Sequence, residues 1–176
     1  MIRLRLMPAP LIRAIAFVCL LSLTLAACGF KLRGAFELPQ GLQKIYLVGS
    51  SNSALMTDLR EMLAYSAQVV NNREEAEAIL SIDDESSETR TLSVDSRGKV
   101  RESEIEYSVT YSLVTNDGLN VIDKRTLVLV RDYINDENNI IGRTNESNVI
   151  ARDLKRDTAQ QILRQIQAVN LENLEQ

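Results

Sequence analysis

The chain contains no histidine and no tryptophan, only two cysteines, three prolines and seven glycines among its 176 residues. Without histidine, imidazole acid–base catalysis, Ser-His-Asp triads and imidazole metal ligation are all closed to it. Cysteine is scarcer still where it matters. Cys19 falls in the first 27 residues, so a chain cut before Cys28 keeps one thiol and can form neither an intrachain disulfide nor a paired-thiol zinc site. A glycine-rich phosphate loop and a Ser-x-x-Lys motif of the penicillin-binding kind are also missing, the one such spacing, Ser96 to Lys99, falling in a turn. The acidic run Asp83-Asp84-Glu85 to Glu88 lacks the spacing and central glycine of a calcium loop, and reads as a solvated strand end. These absences point away from an enzyme and toward a binding or structural role.

What is present begins at the N-terminus. Arg3, Arg5 and Arg13 precede an uncharged apolar run, Ala14 to Leu25 (AIAFVCLLSLTL), which ends at the small residues Ala26 and Ala27. This is the pattern of a secretory signal. As a helix the run is about 18 Å long, short of the roughly 30 Å needed to cross a hydrocarbon core. Leu25-Ala26-Ala27-Cys28 matches a lipobox, in which the thiol takes a diacylglycerol before cleavage exposes the cysteine amine for N-acylation. The alternative is an ordinary cysteine following a signal. Cys28 is the expected lipid-attachment site, and this covalent lipid is the one prosthetic group expected, with no other cofactor and no metal. Gly29 stands where an inner-membrane retention signal would place Asp, so the expected destination is the outer membrane.

The expected organisation is a signal over residues 1–27, a lipidated segment over 28–43, a single domain over 44–170 and a frayed tail over 171–176. Removing the signal leaves 17 basic and 24 acidic side chains, a formal charge of −7. That balance disfavours nucleic acid as a partner. Along the domain, Lys44 to Val48 reads as a short buried strand ending at Gly49. Ser50 to Ser53 supply turn and cap residues, and Leu55, Met56, Leu59, Met62 and Leu63 recur at helical spacing. Ala76 to Val94 reads as one long, partly exposed strand, and Ser96 to Lys99 as a turn with Gly98 at positive φ. Ile105, Tyr107, Val109, Tyr111 and Leu113 alternate with polar residues, the period of a strand with one buried face. Asn116-Asp117-Gly118 marks a second turn, and Thr126 to Ile134 the returning strand. A second helix is expected from about Asn145, as its N-cap, to about Val169, with Val149, Ile150, Leu154, Ile162, Leu163 and Ile166 inward. The order strand-helix-strand-strand-strand-helix predicts an α+β domain: two helices on one face of a four-stranded, largely antiparallel or mixed sheet. Its open strand edges invite a partner.

Against the acidic background, Arg97, Lys99 and Arg101 cluster at the hairpin after Val94, and Arg143 precedes the second helix. Solubility alone accounts for any one of them. A cluster at a loop tip suits phosphorylated sugar headgroups, which arginine can grip bidentately.

The run Cys28-Gly29-Phe30-Lys31-Leu32-Arg33-Gly34 resembles the opening of the lipopolysaccharide-assembly lipoprotein family LptE, with Lys31 in place of the usual histidine. The resemblance continues through Leu38-Pro39, the Arg97-Gly98 hairpin and the alternating strand, Arg131 and Tyr133, and Asn145-Glu146 into Ala159 to Arg164 (AQQILR). It implies a protein seated one-to-one in the lumen of the outer-membrane β-barrel LptD, helping that barrel assemble and contacting lipopolysaccharide in transit. It also implies two helices on a four-stranded sheet, and lipopolysaccharide-contacting basic residues at the hairpin tip (Arg97 or its neighbour) and before the last helix (Arg143). The alternative is a free-standing outer-membrane lipoprotein that binds another envelope protein.

Overall fold

The computed structural model describes Arg13, residues 38–135 and residues 140–169, without the side chains of residues 140–145. Cys28 and the segment after it lie outside the described residues, as does the 171–176 tail. The chain divides into two units, Met1–Ala35 and Phe36–Gln176, and the second carries the fold. Its elements are β1 (Lys44–Val48), α1 (Ala54–Leu63), β2 (Gln68–Val70), a 3₁₀ turn (Arg73–Glu75), β3 (Ala78–Val94), β4 (Val100–Thr115), β5 (Asn120–Ile134) and α2 (Ile140–Gln167).

One mixed sheet runs in the order β2-β1-β3-β4-β5. β1 is parallel to both β2 and β3, and the remaining pairs are antiparallel. The α+β class and the two helices match the sequence expectation, but the sheet has five strands rather than four. The extra strand, Gln-Val-Val at 68–70, is three residues long and bounded by Asn71 and Asn72. Three residues carry too little alternation to read as a strand. What makes it one is tertiary: α1 returns the chain alongside β1, and Lys44, Ile45 and Tyr46 pair with Gln68, Val69 and Val70.

The long hairpins follow directly from sequence. Along β4, Ser103, Ile105, Tyr107, Val109, Tyr111 and Leu113 are buried while the residues between them are not, so the period of two is realised from Ser103 to Leu113. Gly98 and Gly118 take φ of +80° and +96° at the two turns, a region that any Cβ would strain. β3 is bulged, with register shifts between Ile82 and Asp84 and again near its end. β5 begins at Asn120, six residues before the expected Thr126, because a bulge opposite Ser112 absorbs Asp123 and Lys124 and lets Val121 and Ile122 reach the core.

Both helices cover one face. In α1, Ser53 caps the N-terminus by accepting from the Met56 N–H, and Leu55, Met56, Leu59 and Leu63 are buried. In α2 the buried stripe is Leu154, Thr158, Ala159, Ile162, Leu163 and Ile166. Two expectations about α2 are corrected. It begins at Ile140, so Asn145 sits inside the helix and is not its N-cap. Val149 is 45% exposed, because it lies five residues before Leu154 and thus about 140° around the helix from it. The core also reaches Leu42, fully buried two residues before β1. Each fully buried aliphatic side chain contributes about 1.5–3 kcal/mol.

One polar cluster ties the layers together. The Glu85 carboxylate, on the helix face of β3, accepts from the Ser53 hydroxyl at the α1 cap and from the Tyr107 hydroxyl of β4 at 2.7 Å. Lys155 of α2 lies 3.5 Å from the same carboxylate, and its ammonium sits 5.7 Å from the centre of the Tyr107 ring. Burial, and then the bond to Glu85, push the Tyr107 phenol far above its ordinary value of 10. Tyr111 bonds to Gln165 of α2 in the same way at the other end of the helix.

Candidate functional site

The β3–β4 hairpin projects its turn from one end of the sheet, and Asp95 organises that turn. Its Oδ1 accepts from the backbone N–H groups of Arg97 (2.8 Å) and Lys99 (3.0 Å), and its Oδ2 from the Arg97 guanidinium at 3.0 and 2.8 Å. These bonds hold the Asp95 carboxyl below the ordinary carboxylate range, with the Lys99 backbone N–H and the Arg97 side chain contributing most. The Asp95 N–H donates to the Lys99 carbonyl at 2.8 Å, which closes the turn. Asp95 was not singled out from the sequence, although an Asp two residues before an Arg-Gly turn is the signature of an Asx turn.

The hairpin brings three of the four expected basic residues together. Arg97, Lys99 and Arg101 are all exposed. Arg97 is held in an ion pair with Asp95, so part of its charge is balanced inside the turn. Alternation along β4 puts Arg101 on the helix-facing side, the side of Ser103 and Ile105. Its carbonyl accepts from the Asn135 N–H at 2.8 Å, and the buried Asn135 amide donates to the Ser103 hydroxyl at 2.7 Å. Asn135 thereby ties the exit of β5 to the base of the hairpin. α2 begins five residues later at that end of the sheet, which places Arg143 in the first turn of α2, at the hairpin end; its side chain lies outside the described residues. Cys28, the fifth expected site residue, also lies outside them.

Apolar side chains accompany these cations. Leu92 and Val94 at the end of β3 are 49% and 55% exposed, and Ile134 at the end of β5 is 65% exposed. By register Val94 and Ile134 lie on the face away from the helices, across the sheet from Arg101, so one end of the sheet carries cations and exposed aliphatic groups, a combination that suits a ligand both anionic and greasy.

Two members of the acidic run are spent on structure. Asp83 pairs with Lys124 at 3.2 Å, and Glu85 is held by Ser53, Tyr107 and Lys155. Among the described residues no cluster of three or more His, Cys, Asp or Glu could hold a metal ion, and no helix is long and apolar enough to cross a membrane.

Comparison with known proteins places this arrangement. The sequence model of the family LptE, described as lipopolysaccharide-assembly, matches residues 42–166, from the first buried core residue to the last buried turn of α2. The LPS-assembly lipoprotein LptE of Photorhabdus laumondii subsp. laumondii is 26% identical over 150 residues, covering 84% of this chain and 81% of that protein. Among solved structures, an uncharacterized lipoprotein B from Nitrosomonas europaea is 31% identical with a TM-score of 0.68, over 80% of this chain and 91% of that one. A minor lipoprotein from Acinetobacter baumannii is 26% identical with a TM-score of 0.60, over 74% and 94%. The match spans all five strands and both helices, and the chain belongs to the lipopolysaccharide-assembly family LptE.

Proposed function

We propose that the chain is an outer-membrane lipoprotein, anchored through N-acyl and S-diacylglycerol lipid on Cys28, that plugs and helps assemble an LptD-type β-barrel and contacts lipopolysaccharide on its way to the outer leaflet. The observation that carries this reading is the family match over the whole domain, residues 42–166. In this reading no bond is made or broken by the protein. The lipid keeps the domain beside its barrel, the sheet and helices form a rigid body in the lumen, and the hairpin tip presents cations to phosphates while Leu92, Val94 and Ile134 meet acyl or sugar surface. The test is purification of the lipidated chain from intact membranes. A one-to-one complex with an outer-membrane barrel is expected, and recovery of the chain alone overturns the plug reading. If crosslinkers at residues 97–101 then capture a periplasmic protein and no barrel, the free-standing binding module is the correct alternative.

The ligand contact has its own test. Reversing Arg97 would set two acids side by side at Asp95 and unmake the turn, so Lys99→Glu with Arg101→Glu is the informative pair. Lipopolysaccharide binding at physiological salt is expected to weaken about tenfold, or about 1.4 kcal/mol, with the thermal transition unchanged. Undiminished binding by the double variant, and by Arg143→Glu, removes these residues from the contact.

A further inference from the structure

β5 closes the sheet on one side, and among the described residues no strand pairs with its outer edge. In an antiparallel pair, alternate residues turn both N–H and C=O away from the partner strand, so fifteen residues of β5 present a ladder of unmade hydrogen bonds. The opposite edge, β2, is only three residues long. Natural edge strands are guarded by proline, central charge or shortness. β5 has none of these through its middle, where Thr126 to Val130 (TLVLV) is uncharged and free of proline.

The face beside that edge has a definite character. The register puts Asp84, Glu88 and Arg90 of β3, Glu102, Glu104 and Glu106 of β4, and Asp132 of β5 on the side of the sheet away from the helices. Arg90 bonds to Glu104 and Glu106 at 2.6 and 2.7 Å, which leaves the other four carboxylates without a cation from that set. Val128 and Val130, 48% and 44% exposed, lie on the same face, next to Ser108 and Glu106. Water on apolar groups and crowded carboxylates are both relieved by one kind of neighbour, a strand that carries aliphatic and basic side chains at successive positions of the same face.

We infer that the β5 edge takes an added β-strand from the barrel partner, an extended segment with aliphatic residues over Val128 and Val130 and Lys or Arg toward Asp132 and Glu102. This deepens the plug reading and rests on it: the basic hairpin tip is left for lipopolysaccharide, while the acidic sheet face and its edge hold the protein partner. Main-chain bonds along Thr126 to Val130 supply affinity, and the face supplies register.

The experiment uses the full lipidated chain, expressed with its barrel. Photo-crosslinking side chains at 128 and 130 are expected to capture the barrel, and at Ser87, on the helix side of β3, not to. Val128→Glu with Val130→Glu is expected to lower the barrel recovered per chain by about tenfold, since it extends an already acidic face. A reporter of strand addition is amide exchange at the alternate residues of 126–130 whose N–H groups face away from β4, expected to slow about tenfold or more in the complex relative to the chain alone. A complex that forms normally with these amides unprotected and no crosslink at 128 or 130 overturns the inference and leaves the plug reading standing. Crosslinks joining two copies of this chain overturn the choice of occupant. If the unsubstituted chain yields no barrel complex at all, the plug reading fails and this inference fails with it.

Discussion

Above pH 10 the domain is expected to lose about 1.4 kcal/mol of stability for every further pH unit on account of Tyr107 alone. The Tyr107 residue is 1% exposed, and its hydroxyl donates to Glu85, so ionising it would set a largely desolvated anion beside a carboxylate. The unfolded chain releases this proton near the ordinary value of 10 and the folded chain keeps it. In that window the folded state therefore binds more protons, and stability must fall as pH rises. Below pH 10 both states are protonated and the contribution is whole. Tyr111, also buried and also raised by burial, acts in the same direction. Denaturant titrations at pH 8 to 12 measure the slope. Tyr107→Phe should cost about 1 kcal/mol at neutral pH through the lost bond and make the alkaline arm visibly shallower. Equal slopes in both proteins would show that Tyr107 does not govern the arm.

Replacing Cys28 with alanine is expected to have the largest effect in the cell. In the proposed lipidation, transfer to the thiol precedes cleavage, so the variant should keep its first 27 residues and carry no diacylglycerol. A single acyl chain binds a bilayer only marginally, whereas two or three hold it for practical purposes permanently, at about 0.8 kcal/mol per buried CH₂. Gel mobility and the intact mass of the N-terminal peptide read both consequences. A variant that is still cut after Ala27 and still partitions with membranes would return Cys28 to an ordinary cysteine. With the anchor lost, the amount of barrel complex should drop as well, since tethering raises the effective concentration of the domain at its partner.

The two long hairpins were legible because their signals are local: alternation from Ile105 to Leu113 sets a buried face, and Asn-Asp-Gly and Arg-Gly set the turns. The first helix was legible for the same reason, with Ser53 capping and Leu55, Met56, Leu59 and Leu63 inward. β2 was not, because Gln68–Val70 becomes a strand only by lying against β1. The start of α2 was misplaced, since Asn145 looks like a cap and the helix in fact begins five residues earlier. At the site, the basic character of the tip was plain from Arg97, Lys99 and Arg101. That Asp95 fastens Arg97 into the turn, and that Arg101 lies on the helix side, depends on how the hairpin folds back on itself.

By itself, then, the sequence set the expectation of a secretory signal and lipobox, closed histidine chemistry, and determined the α+β class and the position of the cationic turn. Each of these is a property of composition or of neighbours within a few residues. Only the tertiary structure decided which strand ends the sheet, that carboxylates from three strands share one face, and that Glu85 joins a helix cap, a tyrosine and a lysine from three other segments. Those are pairings between residues tens of positions apart, and no local period encodes them.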